Sequence, residues 1–140
     1  MKVIFLDIDG VLNCKTTTER WKSYVGLDQD LILIFEELVK KTKSSVVITS
    51  TWRLHDNWRQ ILKENGLNCR LLGRTPSVIG IRGDAVNKWL TKRSNVEKYA
   101  ILDDDDDFYP DQSLFRTTFE TGLTKDIANE IVKYFNEIRK

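Results

Sequence analysis

Val3-Ile4-Phe5-Leu6-Asp7-Ile8-Asp9-Gly10-Val11-Leu12 decides how this chain is read. Four apolar residues in succession make a buried strand of the kind found inside parallel sheets. Asp7 and Asp9 follow with one residue between them, and Gly10 lets the chain turn. Ligands bind open α/β sheets at this edge, beyond the carboxyl ends of the strands. Two neighbouring carboxylates buried there without a partner are costly. A hard cation such as Mg²⁺, which takes oxygen ligands, offsets that cost. The bland reading, two solvated acids at a strand end, loses ground because a second acidic cluster follows another buried strand.

That second strand is Tyr99 to Leu102, and Asp103 to Asp107 follow it directly. Its position after an apolar run places Asp103 and Asp104 at the same edge, whereas Asp105 and Asp106 read as solvated. Between the two acidic ends, Asp28 caps a helix over 29–41, with Leu31, Ile34, Phe35 and Leu38 at helical spacing. Ser45 to Thr49 carries Val46, Val47 and Ile48 as another buried strand. A helix follows from Asp56 to Asn65, with Trp58, Ile61 and Leu62 on one side, ended by Gly66. Cys69 to Leu72 reads as a short strand, Gly73 to Gly80 as a loop, and Asp84 to Lys92 as a helix. Leu114 to Thr118 is a fifth short strand. Thr124 caps a last helix that turns Ile127, Ile131, Tyr134, Phe135 and Ile138 to the core. Residues 13–26 are polar, contain Trp21 and Tyr24, and read as a loop or flap over the sheet edge.

Alternating strands and helices are the signature of an α/β fold with one doubly wound, Rossmann-like parallel sheet and helices on both faces. The 140 residues make one domain, 1–140, and neither segment between the acidic ends is long enough for a separate cap. A net charge of +1 gives no reason to expect bulk nucleic-acid or membrane binding. No apolar run approaches the roughly 18 residues of a membrane span, and the N-terminus does not read as a signal peptide. Cys14 and Cys69 are too few for a metal knuckle or a disulfide framework and read as reduced thiols of a cytoplasmic protein. With His55 the one histidine, a His-rich metal site is excluded.

Three strand ends therefore bring chemistry to one edge. The first carries Asp7 and Asp9; the second carries Thr49, Ser50 and Thr51, with Arg53 beyond; the third carries Asp103 and Asp104. Arg82-Gly83 stands at the start of the helix before the last acidic strand. This pattern resembles the haloacid dehalogenase (HAD) superfamily of phosphohydrolases. Asp7-Ile8-Asp9-Gly10-Val11 looks like its first motif, Ser50 like its second-motif hydroxyl, Arg82 like its third-motif cation and Asp103-Asp104 like its fourth, double-acid motif. A narrower resemblance rests on Asn13, Ser50-Thr51-Trp52-Arg53, Gly73-Arg74-Thr75-Pro76, Arg82-Gly83 with Trp89-Leu90, and Gly122-Leu123-Thr124. These look like the small HAD domains of RNA-repair and phage-type proteins, similar to the 3′-phosphatase part of polynucleotide kinase–phosphatases.

The resemblance implies a Mg²⁺-dependent phosphatase. Asp7 would attack phosphorus and form an aspartyl-phosphate. Mg²⁺ would be held by Asp7, the backbone carbonyl of Asp9 and Asp103, and Asp104 would hold one of its waters or orient it. The Asp9 side chain would protonate the leaving oxygen and then deprotonate water. Ser50 and the amides after it would bind the phosphoryl oxygens, and Arg82 would stabilise the transition state. Thr49 competes with Ser50, and Lys88, on the same helix as Arg82, competes with Arg82. Arg53 is either a bidentate grip on a substrate phosphate or a surface ion pair. Asp107 is a candidate further acid of the metal shell. Trp52 and Trp58 read as packing residues, while Trp21 and Tyr24 have the better claim to touch substrate. Arg20 and Arg74 join Arg53 as candidates for end recognition.

An uncapped site suits a phosphorylated substrate that is either a small ester or a nucleic-acid end. Two readings compete. A receiver-type signalling domain also uses a phosphorylated Asp, but that Asp follows a middle strand, which here ends in hydroxyls. A non-catalytic binding module of the same fold is disfavoured by the intact Asp7–Asp9 pair.

Overall fold

The computed structural model describes residues 1–137. Its main sheet contains β1 (Lys2–Leu6), β4 (Ser45–Ile48), β5 (Leu71–Arg74), β6 (Lys98–Asp103) and β7 (Leu114–Arg116), in the order β5-β4-β1-β6-β7. Every neighbouring pair is parallel, with Leu6 opposite Ile48 on one side and Leu102 on the other. The chain builds outward from β1 to β5 and then crosses to β6. The strand order therefore reverses beside β1, at the crevice between the ends of β1 and β6.

Strand period divides the core. Ile4 and Leu6 point to the face covered by α1 (Gln29–Thr42), α2 (Trp58–Glu64) and α4 (Lys125–Asn136). Val3 and Phe5 point to the face covered by α3 (Arg82–Thr91), where Phe5 meets Trp89 edge to face at 5.4 Å. The doubly wound sheet is thus as expected, with three helices on one face and one on the other. Asp28 caps α1 by accepting from the Asp30 N–H at 3.1 Å, and Thr124 caps α4 by accepting from the Ile127 N–H at 3.2 Å. Within α4, Ile131 and Phe135 are buried and Ile127 and Tyr134 are half-buried; Ile138 lies outside the described residues.

Several boundaries differ from the sequence reading. The 13–26 flap holds a two-stranded antiparallel hairpin, β2 (Arg20–Trp21) with β3 (Tyr24–Val25). The helix expected over 56–65 is trimmed to α2, and Thr51–Leu54 before it form a 3₁₀ turn. The third strand slides forward to include Gly73 and Arg74, expected in a loop, because their backbones pair with Val47 and Ile48 whatever their side chains. Helix α3 starts at Arg82 rather than Asp84. The Asp107 carboxylate and carbonyl accept the N–H groups of Arg82 and Gly83, both at 3.1 Å, a long-range cap added to the local one in which Asp84 Oδ2 accepts the Ile81 N–H at 3.1 Å.

Candidate active site

The parallel register carries the polar residues to one edge. Asp7 is the first residue beyond β1, and its N–H still bonds to Leu102 O at 2.9 Å. Thr49 is the first beyond β4, with its N–H on Leu6 O at 2.9 Å. Asp103 ends β6. Asp7 and Asp103 are 3% and 0% exposed. Asp7, Asp103 and Asp104 each offer a carboxylate oxygen within 4.8 Å of the others. Arg82, opening α3, places Nη1 3.4 Å from Asp7 Oδ1 and 3.1 Å from Asp103 Oδ2.

One guanidinium against three carboxylates leaves the cluster short of positive charge. Burial pushes the Asp7 carboxyl up to about 8, helped by the neighbouring Asp103 and only partly opposed by Arg82. Burial likewise raises Asp103, against the Asp105 N–H at its Oδ1 and the Arg82 charge. Arg82 is itself disfavoured by burial, but Asp103 and Asp7 outweigh this and hold its pKa above the usual value. An all-oxygen donor set with unbalanced negative charge is what a hard divalent cation requires, so the residues fit Mg²⁺.

Gly10 makes the cluster possible. It sits at φ +82°, and a Cβ there would lie 2.2 Å from Asp104 Oδ2. Thr117, buried in the stretch after β7, donates to Gly10 O at 2.6 Å and holds that turn against the end of β6.

The Asp9 side chain does not join the three-acid cluster; among the expected metal ligands only its backbone carbonyl remains available for that role. Its Oδ1 accepts from Asn13 Nδ2 at 2.8 Å and its Oδ2 from Trp52 Nε1 at 3.2 Å. Asn13 is oriented in turn, because its Oδ1 accepts the Gly10 N–H at 2.8 Å. Trp52 is therefore buried packing, as expected, and also a tether for Asp9, which its type alone did not reveal.

The hydroxyls after β4 divide. Ser50 is 2% exposed, and its Oγ accepts the Trp52 N–H at 3.3 Å, capping the 3₁₀ turn. Thr49 Oγ1 is the one buried side-chain polar atom without a partner among the described residues. Thr49, Thr51, Arg53 and Arg82 line a crevice of about 260 Å³ that Ser50 does not line. Arg53 is no surface ion pair. Its guanidinium bonds Thr75 O at 3.0 Å and Ser50 O at 3.1 Å, and burial beside Arg82 and Arg74 lowers its pKa. Lys88 is exposed in the last turn of α3, far along the helix from Arg82. Asp107 caps α3 through one carboxylate oxygen and is not among the three acids that lie within 4.8 Å of one another. Asp105 and Asp106 are exposed, as expected. Arg74 donates to Arg53 O at 2.6 Å, whereas Arg20 lies on the hairpin and bonds only local carbonyls.

A Rossmann-like sheet without a separate cap, carrying an acid pair after its first strand and another at the end of β6, defines a HAD-type, phosphatase-like domain. Residues 3–128 match the HAD domain in Swiss Army Knife RNA repair proteins, and the chain belongs to that family. Comparison with curated proteins found no matching relative. No helix among the described residues is long and apolar enough to cross a membrane.

Proposed function

We propose that this protein is a cytoplasmic, Mg²⁺-dependent phosphomonoesterase that works through an aspartyl-phosphate on Asp7, with a nucleic-acid 3′ end as its substrate. The observation that carries this reading is the buried Asp7–Asp103–Asp104 group with Arg82 laid across two of its members. The RNA-repair membership supports the choice of substrate.

An Asp7 carboxylate oxygen attacks phosphorus as the bond to the ester oxygen breaks, and Asp9 gives that oxygen a proton. Water then attacks the aspartyl-phosphate, Asp9 takes its proton, and the bond between Asp7 and phosphorus breaks to release phosphate. Asn13 and Trp52 hold Asp9 in one orientation for both transfers. Thr49, whose hydroxyl has no partner and which lines the crevice, is better placed to donate to the phosphoryl oxygens than Ser50, which does not line it. Arg82 stabilises the added negative charge of the transition state. Arg53 and Thr51 line the same crevice and receive the phosphate. Mg²⁺, held by Asp7, Asp103 and Asp104 with the Asp9 carbonyl, would screen the phosphate's negative charge from the attacking carboxylate.

The test is phosphate release in Mg²⁺ from an aryl phosphate, mononucleotides and 3′- and 5′-phosphorylated oligonucleotides, with Asp7→Asn as the blank. Preference for the 3′-phosphorylated oligonucleotide is the expected result. Turnover of small esters alone would keep the phosphatase and remove the nucleic acid. No release from any ester would leave the non-catalytic binding module.

A further inference from the structure

Beside the crevice lined by Thr49, Arg53 and Arg82 lies a second, larger cleft of about 910 Å³, between the β2–β3 hairpin and the turn after β4. Its volume falls within the roughly 300–1,000 Å³ usual for small-molecule sites. Trp21, Tyr24, Trp52, His55 and Phe119 line it. The rings are organised around Trp21, which stacks with Tyr24 at 6.1 Å, meets Trp52 at 5.0 Å and takes His55 edge-on at 5.6 Å. Tyr24 is 63% and Phe119 46% exposed, so the core does not account for either ring being there.

The position of the cleft says what enters it. Asp9 lies in its wall, and Thr51 and Leu54 line both this cleft and the phosphate crevice. The group whose oxygen Asp9 protonates must leave from beside Asp9, so the leaving alcohol extends into the aromatic cleft. Flat aromatic walls favour a flat aromatic occupant, through stacking that tolerates any base. Lys22, at the hairpin turn with Nζ 4.9 Å from the Trp21 ring centre, lines the same cleft and adds a cation suited to an adjoining backbone phosphate.

We propose that this cleft is a nucleobase subsite, which seats the terminal base of the strand whose 3′-phosphate lies at Asp7. The proposal rests on the phosphatase reading and names its specificity element. Base stacking at one position, with few cations around it, suits recognition of a strand end rather than tracking along a strand, in keeping with the net charge of +1.

The test uses binding, so that it reads out without turnover. Full-length Asp7→Asn protein is titrated into two 3′-phosphorylated oligonucleotides, one ending in fluorescent 2-aminopurine and one in an abasic residue. The expected result is quenching of 2-aminopurine and affinity about tenfold or more above that of the abasic strand. Tyr24→Ala and Phe119→Ala, at exposed positions that do not threaten the fold, should each shrink the difference between the two strands. Equal affinity for the two strands, or an unchanged difference in both variants, would overturn the subsite. So would tighter binding of a phosphoserine peptide than of either strand. Failure of the phosphatase reading shows separately, as no phosphate release by the unmutated protein.

Discussion

Trp52 Nε1 donates to Asp9 Oδ2 across 3.2 Å, joining the turn after β4 to the turn after β1. The same indole forms part of the aromatic cleft, with Trp21 5.0 Å away. A residue that packs one wall of the cleft thus also fixes the carboxylate proposed to move the proton. Asp9→Asn should lower kcat by about 10²–10⁴. Trp52→Phe keeps an aromatic ring but removes the N–H, and should lower kcat about tenfold with little change in KM. In the double variant the Trp52 effect should vanish, because it acts through Asp9; additive losses in steady-state kinetics would refute that link.

Thr49 and Ser50 are adjacent hydroxyls in different situations. Thr49→Val is nearly isosteric and removes the unpartnered hydroxyl, so it should cost activity while leaving thermal stability almost unchanged. Ser50→Ala removes the cap of the 3₁₀ turn and should cost about 1 kcal/mol of stability with a smaller effect on kcat. Thermal melts alongside phosphate release separate the two, and the reverse pattern would return the phosphoryl contact to Ser50.

Arg82 and Lys88 share a helix but not a site. Arg82→Ala should reduce kcat by about 10²–10³, the usual effect of removing one preorganised donor. Lys88→Ala, at an exposed position in the last turn, should stay within a factor of about two. A larger loss for Lys88→Ala would move the cation role to it.

Asp7 makes the metal-free protein sensitive to pH. Its carboxyl moves from 3.8 to about 8, so across that window the folded state holds a proton that the unfolded chain has lost. Stability then falls as pH rises through the window. Scans of Tm in chelator should decline from pH 5 to pH 8. Mg²⁺ should raise Tm more at pH 8 than at pH 5, and Asp7→Asn should flatten the decline. A metal-free Tm that climbs over this range would contradict the buried, under-neutralised cluster.

Gly10→Ala tests the approach of Asp104. The added methyl meets Asp104 Oδ2 at 2.2 Å on a backbone at φ +82°, so either the turn or the acid must move. Reduced Mg²⁺ stabilisation is expected, read as a smaller metal-induced rise in Tm than in the unmutated protein.

The fold was legible wherever side-chain chemistry repeats locally. The apolar runs of β1, β4 and β6 and the spacing in α1 and α4 specify buried strands and amphipathic helices on their own. The caps Asp28 and Thr124 act within a few residues of their positions in the chain. Asp7, Asp103 and Asp104 were legible because acids directly after buried strands of a parallel sheet must meet at one edge. The β2–β3 hairpin, four residues of strand in a polar flap, carried no comparable signal.

What only the tertiary structure decided are contacts between residues distant in sequence. Asp107 caps the Arg82 N–H from 25 positions away, and Thr117 reaches back 107 positions to Gly10. The difference between Thr49 and Ser50 is one of hydrogen-bond occupancy, which two neighbouring hydroxyls cannot express in their letters. The aromatic cleft is the same kind of property, since Tyr24, Trp52 and Phe119 come from three segments far apart in the chain. The sequence determined which residues stand at the ends of the buried strands, because apolar runs and side-chain period are local. Folding decided what each of them touches, because hydrogen bonds and ring contacts depend on distances that only the packed chain sets.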